Sequence, residues 1–251
     1  MFKQRSTTLE LMDDLSLASD DLRQNLKELE FINVWLGGHD VVRNGLNALV
    51  KNPFLGRFPE NRLKIADLGS GGGDTLRMVA NWARKRKLQV ELVGVDANTF
   101  MLDYSASLSQ EYPEISYRHY DVFSPDFAQE QFDIVICSLF LHHFPDEALA
   151  RLLAQLHRQV RGAVLINDLH RHPLAYYSIK GLTKIFSSSY LVKNDAPLSV
   201  LRAFSRADWK RILAHAGVDR YQIKWKWAFR WQVVFGPILE KQRKTGKEFV
   251  T

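Results

Sequence analysis

Short apolar runs alternate with amphipathic segments through the middle of the 251-residue chain. The runs have the length and β-branched content of buried strands, and the segments between them follow the period of helices. Such alternation predicts an α/β domain with a mainly parallel sheet. The predicted strands are Leu63–Leu68, Val90–Val95, Ile115–His119, Phe132–Ser138 and Ala163–Asn167, and the predicted helices are about Asp74–Arg86, Asn98–Ser109 and Asp146–Val160.

Residues 1–60 carry a helical pattern and no strand pattern. Apolar residues recur at helical spacing from Leu22 to Ile32, the pair Gly37-Gly38 marks a turn, and a second helix is predicted at about Asp40–Val50. We therefore predict an N-terminal helical cap. Two interpretations stay open: a plain cap on the sheet edge, or a lid over a ligand pocket with the glycine pair close to the ligand.

The C-terminal part combines an aromatic insert with two alternating segments. Residues 174–203 are rich in Tyr, Phe, Leu and Ser, and they follow a strand end, where open α/β sheets bind ligands. We expect this insert to line an apolar substrate pocket, or alternatively to cover the top of the sheet. Alternation over 221–227 and 229–235 predicts an antiparallel pair turning near Ala228.

Composition narrows the class of protein. Hydrophobic residues make up 46% and charged residues 25%, and the net charge is +6, which is typical of a globular domain and does not by itself indicate nucleic acid. The single cysteine excludes an internal disulfide and favours a cytoplasmic location. Residues 1–15 lack the apolar core of a signal peptide, and no run is long enough to span a bilayer. The domain prediction is a cap at 1–60, a core at 61–240 and a charged tail at 241–251.

A glycine-rich turn follows the first predicted strand. Asp67 ends the strand, and Gly69, Gly71 and Gly73 follow at alternate positions before a helix. Glycine permits positive φ and leaves the backbone bare, and the helix N-terminus offers N–H groups to a ligand. The dinucleotide fingerprint would place its third glycine where Asp74 stands. A tight turn without a ligand is the alternative.

A carboxylate also ends the second predicted strand. Asp96 lies about 25 residues beyond the turn, the distance of one βαβ unit, where it can accept hydrogen bonds from ribose hydroxyls. NAD enzymes use the same arrangement. Asp96 therefore indicates that the ligand contains a ribose, but it does not identify which cofactor carries that ribose. Its alternative role is the N-cap of the following helix.

These residues resemble motif I of the class I methyltransferases that use S-adenosyl-L-methionine (SAM), and Phe132–Phe144 resembles motif IV of small-molecule members, including those of quinone biosynthesis. Ser138–Leu141 lacks the Pro-Pro motif of enzymes that methylate base amino groups. The resemblance implies a Rossmann-like, seven-stranded, mostly parallel sheet with an antiparallel last strand and helices on both faces. It also implies SAM as cofactor, with Asp121 on the adenine amino group and Val122 against the ring. The implied cofactor residues are Asp67, Gly69, Ser70, Gly71, Asp96, Ala97, Asp121, Val122 and Ser138.

Histidines at strand exits are candidates for the base that removes a proton from the acceptor. We expect all of them to face the pocket and favour His143, then His170, with His142 and His172 as further candidates. Structural packing of the paired histidines is the alternative. Asp168, His170 and His172 also contain metal-ligand types, but their spacing matches no metal signature, so no metal is predicted.

The predicted function is methyl transfer from SAM to a small, aromatic or apolar acceptor, on oxygen of a phenolic or quinone-like compound. One alternative is transfer to nitrogen, to carbon, or to tRNA through the basic run Arg84–Lys87. Another is a SAM-binding partner protein without turnover. Nucleic acid is not the expected partner, and the sequence leaves the oligomeric state open.

Overall fold

The computed structural model describes residues 1–15, 17, 20–52 and 62–240. Within these residues, seven strands form one sheet. They are β1 (Arg62–Leu68), β2 (Gln89–Asp96), β3 (Ile115–His119), β4 (Phe132–Ser138), β5 (Val160–Leu169), β6 (Tyr221–Lys226) and β7 (Arg230–Phe235).

The strand order is β3-β2-β1-β4-β5-β7-β6. The first five strands in sequence pair in parallel, and β7 is antiparallel to both β5 and β6. The predicted fold class, a mostly parallel seven-stranded sheet closed by an antiparallel last strand, is confirmed. Because the parallel strands share one direction, the ends of β1, β2 and β4 meet at the same edge of the sheet.

Helices lie on both faces of this sheet. They are α1 (Asp20–Trp35), α2 (Gly38–Val50), α3 (Asp74–Arg86), α4 (Thr99–Leu108), α5 (Pro125–Gln129), α6 (Asp146–Gln159), α7 (Pro173–Phe186), α8 (Tyr190–Arg202), α9 (Arg206–His215) and α10 (Pro237–Glu240). Helix α5 was not predicted from the sequence, although Ser124 caps it and Pro125 stands at its first position, a common helix start.

The core consists of two apolar layers with the sheet between them. Alternate side chains of β4 point into opposite layers, so its residues from Phe132 to Cys137 are all buried. The larger layer packs β4 and β5 against α6 and α9, and the other packs them against α2 and α3. A strand covered on both faces reads as a continuous apolar run, which is why this segment was recognisable in the sequence.

Polar side chains fix the helix starts. Ser205 and Asp208 form a reciprocal capping box at α9. Asn98 caps α4 by accepting from the N–H groups of Phe100 and Met101. Asp96 is therefore not the cap of α4, as one interpretation had it, and its carboxylate instead accepts from the Asn98 N–H.

The aromatic insert folds into α7 and α8. The inward residues of α7 are the small or branched Ala175, Ile179 and Thr183, whereas Tyr177 and Phe186 face solvent. The expectation that the aromatic side chains line a pocket is therefore wrong for these two. The predicted tail at 241–251 and the boundary between cap and core near residue 60 lie outside the described residues. None of the described helices combines the length and apolarity needed to cross a membrane.

Candidate active site

The glycine turn joins β1 to α3 with an unusual backbone. Gly69, Gly71 and Gly73 have φ values of +67°, +48° and +73°, which side chains other than glycine rarely adopt. A Cβ on Gly71 would meet only Leu26, at 3.7 Å, so this backbone is open to the space above it. The Gly71 N–H donates to the Asp96 carboxylate at 3.0 Å, which ties the turn to the end of β2.

A cavity of about 660 Å³ lies over this turn. Its floor is the edge where β1, β2 and β4 end, and its roof comes from α1, α8 and the segment before α1. The nine predicted cofactor residues all line it: Asp67, Gly69, Ser70, Gly71, Asp96, Ala97, Asp121, Val122 and Ser138.

Three carboxylates surround the turn. Burial, together with the nearby charges of Asp74 and Asp96, raises the pKa of Asp67 well above its ordinary value. Burial also raises the pKa of Asp96, although backbone N–H groups act against it. Asp74 behaves differently. Burial would raise its pKa, but the hydrogen bond and charge of His39, together with the Asn33 hydrogen bond and the Arg77 charge, outweigh burial and lower it. This part of the cavity therefore favours a positively charged ligand.

Buried polar atoms without partners mark the same place. Asp67 Oδ1, Ser70 Oγ and Asn33 Oδ1 are buried and make no hydrogen bond with the described residues. Such groups cost free energy unless a ligand satisfies them. SAM carries an ammonium, a sulfonium, ribose hydroxyls and an adenine amine. The donors and acceptors present fit this set: Asp67 for the ammonium, Asp96 for the ribose and Asp121 for the adenine.

Further along the cavity, a buried histidine is held by a buried aspartate. His142 Nδ1 lies 2.8 Å from Asp168 Oδ1, and Asp168 also accepts from the N–H groups of Leu141 and His142. Burial would raise the pKa of Asp168, but the charge and hydrogen bond of His142 outweigh burial and lower it. An ionised Asp168 keeps the proton on Nδ1, which leaves Nε2 of His142 as an acceptor.

Glu10 faces that free nitrogen from the N-terminal segment. Its Oε1 lies 3.8 Å from His142 Nε2 and has no hydrogen-bond partner among the described residues. Burial raises the pKa of Glu10 to about 7, although the charges of His143 and Arg202 act in the opposite direction. At this separation, His142 Nε2 and Glu10 Oε1 can both form a hydrogen bond with one ligand oxygen that lies between them.

The neighbouring histidine is also paired with an acid. His143 Nδ1 lies 2.6 Å from Asp13 Oδ1, and Arg202 bonds to the other oxygen of Asp13. One ligand atom each of Glu10, His142 and His143 lies within 4.8 Å of the others, a spacing that suits a metal ion. The Arg202 guanidinium, 3.7 Å from Glu10 Oε1, already supplies a cation there.

The segment before α1 is fastened over this end of the cavity. The Arg5 guanidinium donates to the carbonyls of His142, Phe144 and Arg202 and pairs with Asp146 at 2.6 Å. Further along, the N–H groups of Leu11 and Met12 donate to the carboxylate of Asp195 in α8. The first fifteen residues therefore form part of the cavity wall.

Some predicted site features lie elsewhere. His170 and His172 are not among the residues that line the cavity. Trp225 donates to His170, and the ring of His172 stacks on Phe229. The expectation that every candidate histidine faces the pocket is therefore wrong for these two. The Gly37-Gly38 turn is also absent from the lining, whereas α1 contributes Leu26, Leu29, Glu30 and Asn33.

Three cavity residues were not predicted from the sequence: Glu10, Asp13 and Asn33. They lie in the helical cap, far along the chain from the groups that they contact. Glu10 and Asp13 form a reciprocal capping pair around a 3-10 turn, Leu11–Asp13, so their sequence signal is that of a helix start. No local pattern predicts that such a turn lies against His142 and His143.

Comparisons with known proteins agree with this geometry. Residues 65–162 match the family model of a methyltransferase domain. A search of curated proteins finds no match. Three solved structures share the fold: the DszA carbon methyltransferase (16% identity, TM-score 0.59, 78% of this chain and 53% of that chain), the CMeT domain of the citrinin polyketide synthase (15%, 0.55, 72% and 48%), and a protein of Methanococcus maripaludis described as a SAM-dependent methyltransferase (15%, 0.55, 84% and 91%).

The chain spans about half the length of the first two structures. At these identities the likeness shows the fold, whereas the family model identifies the domain within residues 65–162. That domain contains the glycine turn, Asp96, Asp121 and the end of β4, which are the parts of the cavity that fit SAM. Residues 65–162 therefore match a methyltransferase domain, and the sheet order and the cavity around them agree with the Rossmann-like methyltransferase fold and with S-adenosyl-L-methionine as the cofactor.

Proposed function

We propose that the protein transfers the methyl group of SAM to a small-molecule acceptor at an oxygen that loses a proton, as in a phenolic or quinone-like compound. The observation that supports this is the gap between His142 Nε2 and Glu10 Oε1. The gap opens into the same cavity as the glycine turn. An acceptor hydroxyl placed in it donates its proton to His142 Nε2 and accepts a hydrogen bond from Glu10 when Glu10 is protonated, within the same cavity as the glycine turn.

His142 is the proposed base. Asp168 fixes the ring and its tautomer, and it stabilises the imidazolium that forms when Nε2 takes the acceptor proton. SAM, when bound, supplies an already activated methyl group. The residues of this chain then have to orient the acceptor, exclude water and receive one proton. His143, the base favoured from sequence, is proposed to lie beside the base without taking the proton, because Asp13 holds its ring.

The alternatives are less well supported by the geometry. The basic run Arg84–Lys87 lies at the end of α3, and α3 runs from the cavity toward the opposite edge of the sheet. Arg84 is also paired with Glu114 at 2.7 Å. RNA bound there would lie away from the glycine turn. Transfer to carbon or nitrogen is separated from transfer to oxygen by identifying the methylated product.

The first experiment is calorimetric titration with S-adenosylhomocysteine (SAH), with NAD as comparator. Micromolar binding of SAH and none of NAD supports the cofactor assignment, and the reverse result would overturn the proposal. The second is transfer of radiolabelled methyl from SAM to a panel of phenols and hydroquinones. A panel without turnover, together with intact SAH binding, would reject this acceptor class.

Variants then test the proton acceptor. We expect His142→Gln to lower kcat about 10²- to 10⁴-fold, the range for loss of a general base, with SAH affinity unchanged. His215→Gln, at an exposed position in the last turn of α9, is the matched control and is expected to keep full activity. If His143→Gln loses activity and His142→Gln does not, the base is His143.

A further inference from the structure

Helix α7 is apolar on its outer side as well as its inner side. Inward, Ala175, Ile179 and Thr183 are buried. Outward, Leu182, Ile185 and Phe186 are 43%, 73% and 79% exposed. A surface helix of a globular protein normally has a polar outer side, so this arrangement indicates that the outer side meets something other than water.

The apolar surface continues onto two other elements. On α1, Phe31 and Trp35 are 61% and 76% exposed, with ring centroids 5.7 Å apart. In the β6–β7 turn, Trp227 is 71% exposed. We call the set Phe31, Trp35, Leu182, Ile185, Phe186 and Trp227 the aromatic face.

Hydrogen bonds hold the three elements of this face together. The Leu36 carbonyl, at the end of α1, accepts from the Ala228 N–H at 3.2 Å, which fixes the β6–β7 turn beside Trp35. The Glu28 carboxylate of α1 accepts from the Ser188 hydroxyl at 2.8 Å, directly after α7. The inner sides of α1, α7 and α8 already pack on one another in a separate apolar cluster. The aromatic face is therefore their outer side.

Lysines are interleaved with these apolar residues. Lys180 and Lys184 lie on α7, and Lys226 directly precedes Trp227. None of the three takes part in an ion pair with another described residue. The cores of protein–protein interfaces are depleted of lysine, whereas tryptophan together with lysine is typical of surfaces that lie in the headgroup region of a bilayer.

We propose that the aromatic face docks the protein onto the surface of a bilayer that contains anionic lipids. Phe31, Trp35, Ile185, Phe186 and Trp227 enter the interfacial region, and the lysines bind anionic headgroups. This docking does not depend on methyl transfer. Its use does rest on the proposed function: α1 and α8 also line the cavity, so docking brings the cavity close to apolar acceptors dissolved in the bilayer.

The test is co-sedimentation of the full chain with vesicles. One set contains phosphatidylcholine alone, and the other contains about 30% phosphatidylglycerol. We expect the wild type to bind the anionic vesicles and the double variant Trp35→Ser/Trp227→Ser to bind about tenfold more weakly. Lys180→Glu/Lys184→Glu is expected to lose the preference for anionic lipid. Leu108→Ser, at a 41% exposed position on α4, is the control and is expected to bind like the wild type.

Three results would overturn the docking proposal. The wild type does not sediment with anionic vesicles, or the tryptophan variant sediments no less than Leu108→Ser does. Alternatively, light scattering without lipid shows a dimer that the tryptophan variant loses, which would assign the face to a second copy of the chain. SAH titration of every variant keeps the two proposals apart, because lost vesicle binding with intact SAH binding concerns docking alone.

Discussion

Replacement of Asp67 by asparagine is expected to stabilise the ligand-free protein while weakening cofactor binding. The side chain is 2% exposed, and its Oδ1 has no hydrogen-bond partner among the described residues. Burial and two nearby carboxylates raise its pKa. The pKa of Asp67 is higher in the folded than in the unfolded chain. Asp67 therefore opposes folding at pH values above its pKa in the unfolded chain, and not at pH values below it. Asn has nearly the same shape and no charge.

The size of the effect follows from the environment of Asp67. An unpaired buried group costs about 1–3 kcal/mol when neutral and more when charged; Asn keeps the neutral cost and removes that of the charge, which we take to be of the same order, and for a chain of this size 1 kcal/mol moves Tm by about 2–4 °C. We therefore expect Asp67→Asn to melt about 2–12 °C higher at pH 8, and the difference to vanish near pH 4. Loss of a charged hydrogen bond to the ligand ammonium, about 1.5–3 kcal/mol, weakens SAH binding about 10- to 150-fold.

Thermal melts from pH 4 to pH 8 and calorimetric titration with SAH measure the two effects. Asp103→Asn, at an exposed position on α4, removes the same charge from the surface and is expected to change neither quantity. A ligand-free Asp67→Asn protein that melts at or below the wild type at pH 8 would refute the argument about burial. Unchanged SAH affinity would show that Asp67 does not meet the ligand ammonium.

Four further variants test backbone conformation, packing and burial at single positions. Gly69→Ala is expected to lower the free energy of unfolding by about 2–4 kcal/mol, because a Cβ there lies 2.1 Å from the Phe140 ring. Gly71→Ala is expected to lower it by about 1–2 kcal/mol, because only backbone strain acts at that position. Urea denaturation measures both free energies. Gly181→Ala, with nothing within 4 Å in the middle of α7, is expected to raise Tm, since alanine is favoured over glycine by about 0.5–1 kcal/mol. Glu10→Gln is expected to raise Tm at pH 8 and not at pH 4.5, because the pKa of Glu10 is raised to about 7 and its carboxylate opposes folding only above its ordinary value of 4.5. If the Tm of Glu10→Gln equals that of the wild type at both pH values, the result would contradict the buried environment of Glu10.

Most of the fold could be predicted because its signals are local. The glycine turn, the apolar strands and the alternation over 221–235 each depend on residues close together in sequence. The site was predictable on the cofactor side for the same reason, since Asp67, Gly71 and Asp96 lie within one βαβ unit. The acceptor side is built from residues far apart: Glu10 meets His142, and Asp13 meets His143. The hydrophobic periodicity of a sequence does not predict contacts between residues so far apart in the chain.

The aromatic insert was misjudged for a different reason. The aromatic composition of residues 174–203 suggested that their side chains line a substrate pocket or cover the top of the sheet, because large apolar side chains are usually inside. In α7 the buried positions are Ala175, Ile179 and Thr183, which pack towards α8, whereas Tyr177 and Phe186 lie on the exposed side. Composition shows that a segment is apolar, and only the packing of the helices shows which side faces inward.

The fastening of the first fifteen residues bears on the rate of the reaction cycle. Through four hydrogen bonds, Arg5 joins this segment to the turn after β4, to the start of α6 and to the end of α8. Its guanidinium also makes a cation–π contact with Phe204 at 4.3 Å. We expect spent cofactor and methylated product to leave past this segment, because it contributes Leu9, Glu10, Met12, Asp13 and Leu15 to the cavity lining. Opening therefore becomes a kinetic step of its own, and in enzymes of this kind such a step often sets the turnover number. Arg5, which does not line the cavity, is then expected to control the rate at which cofactor and product are released.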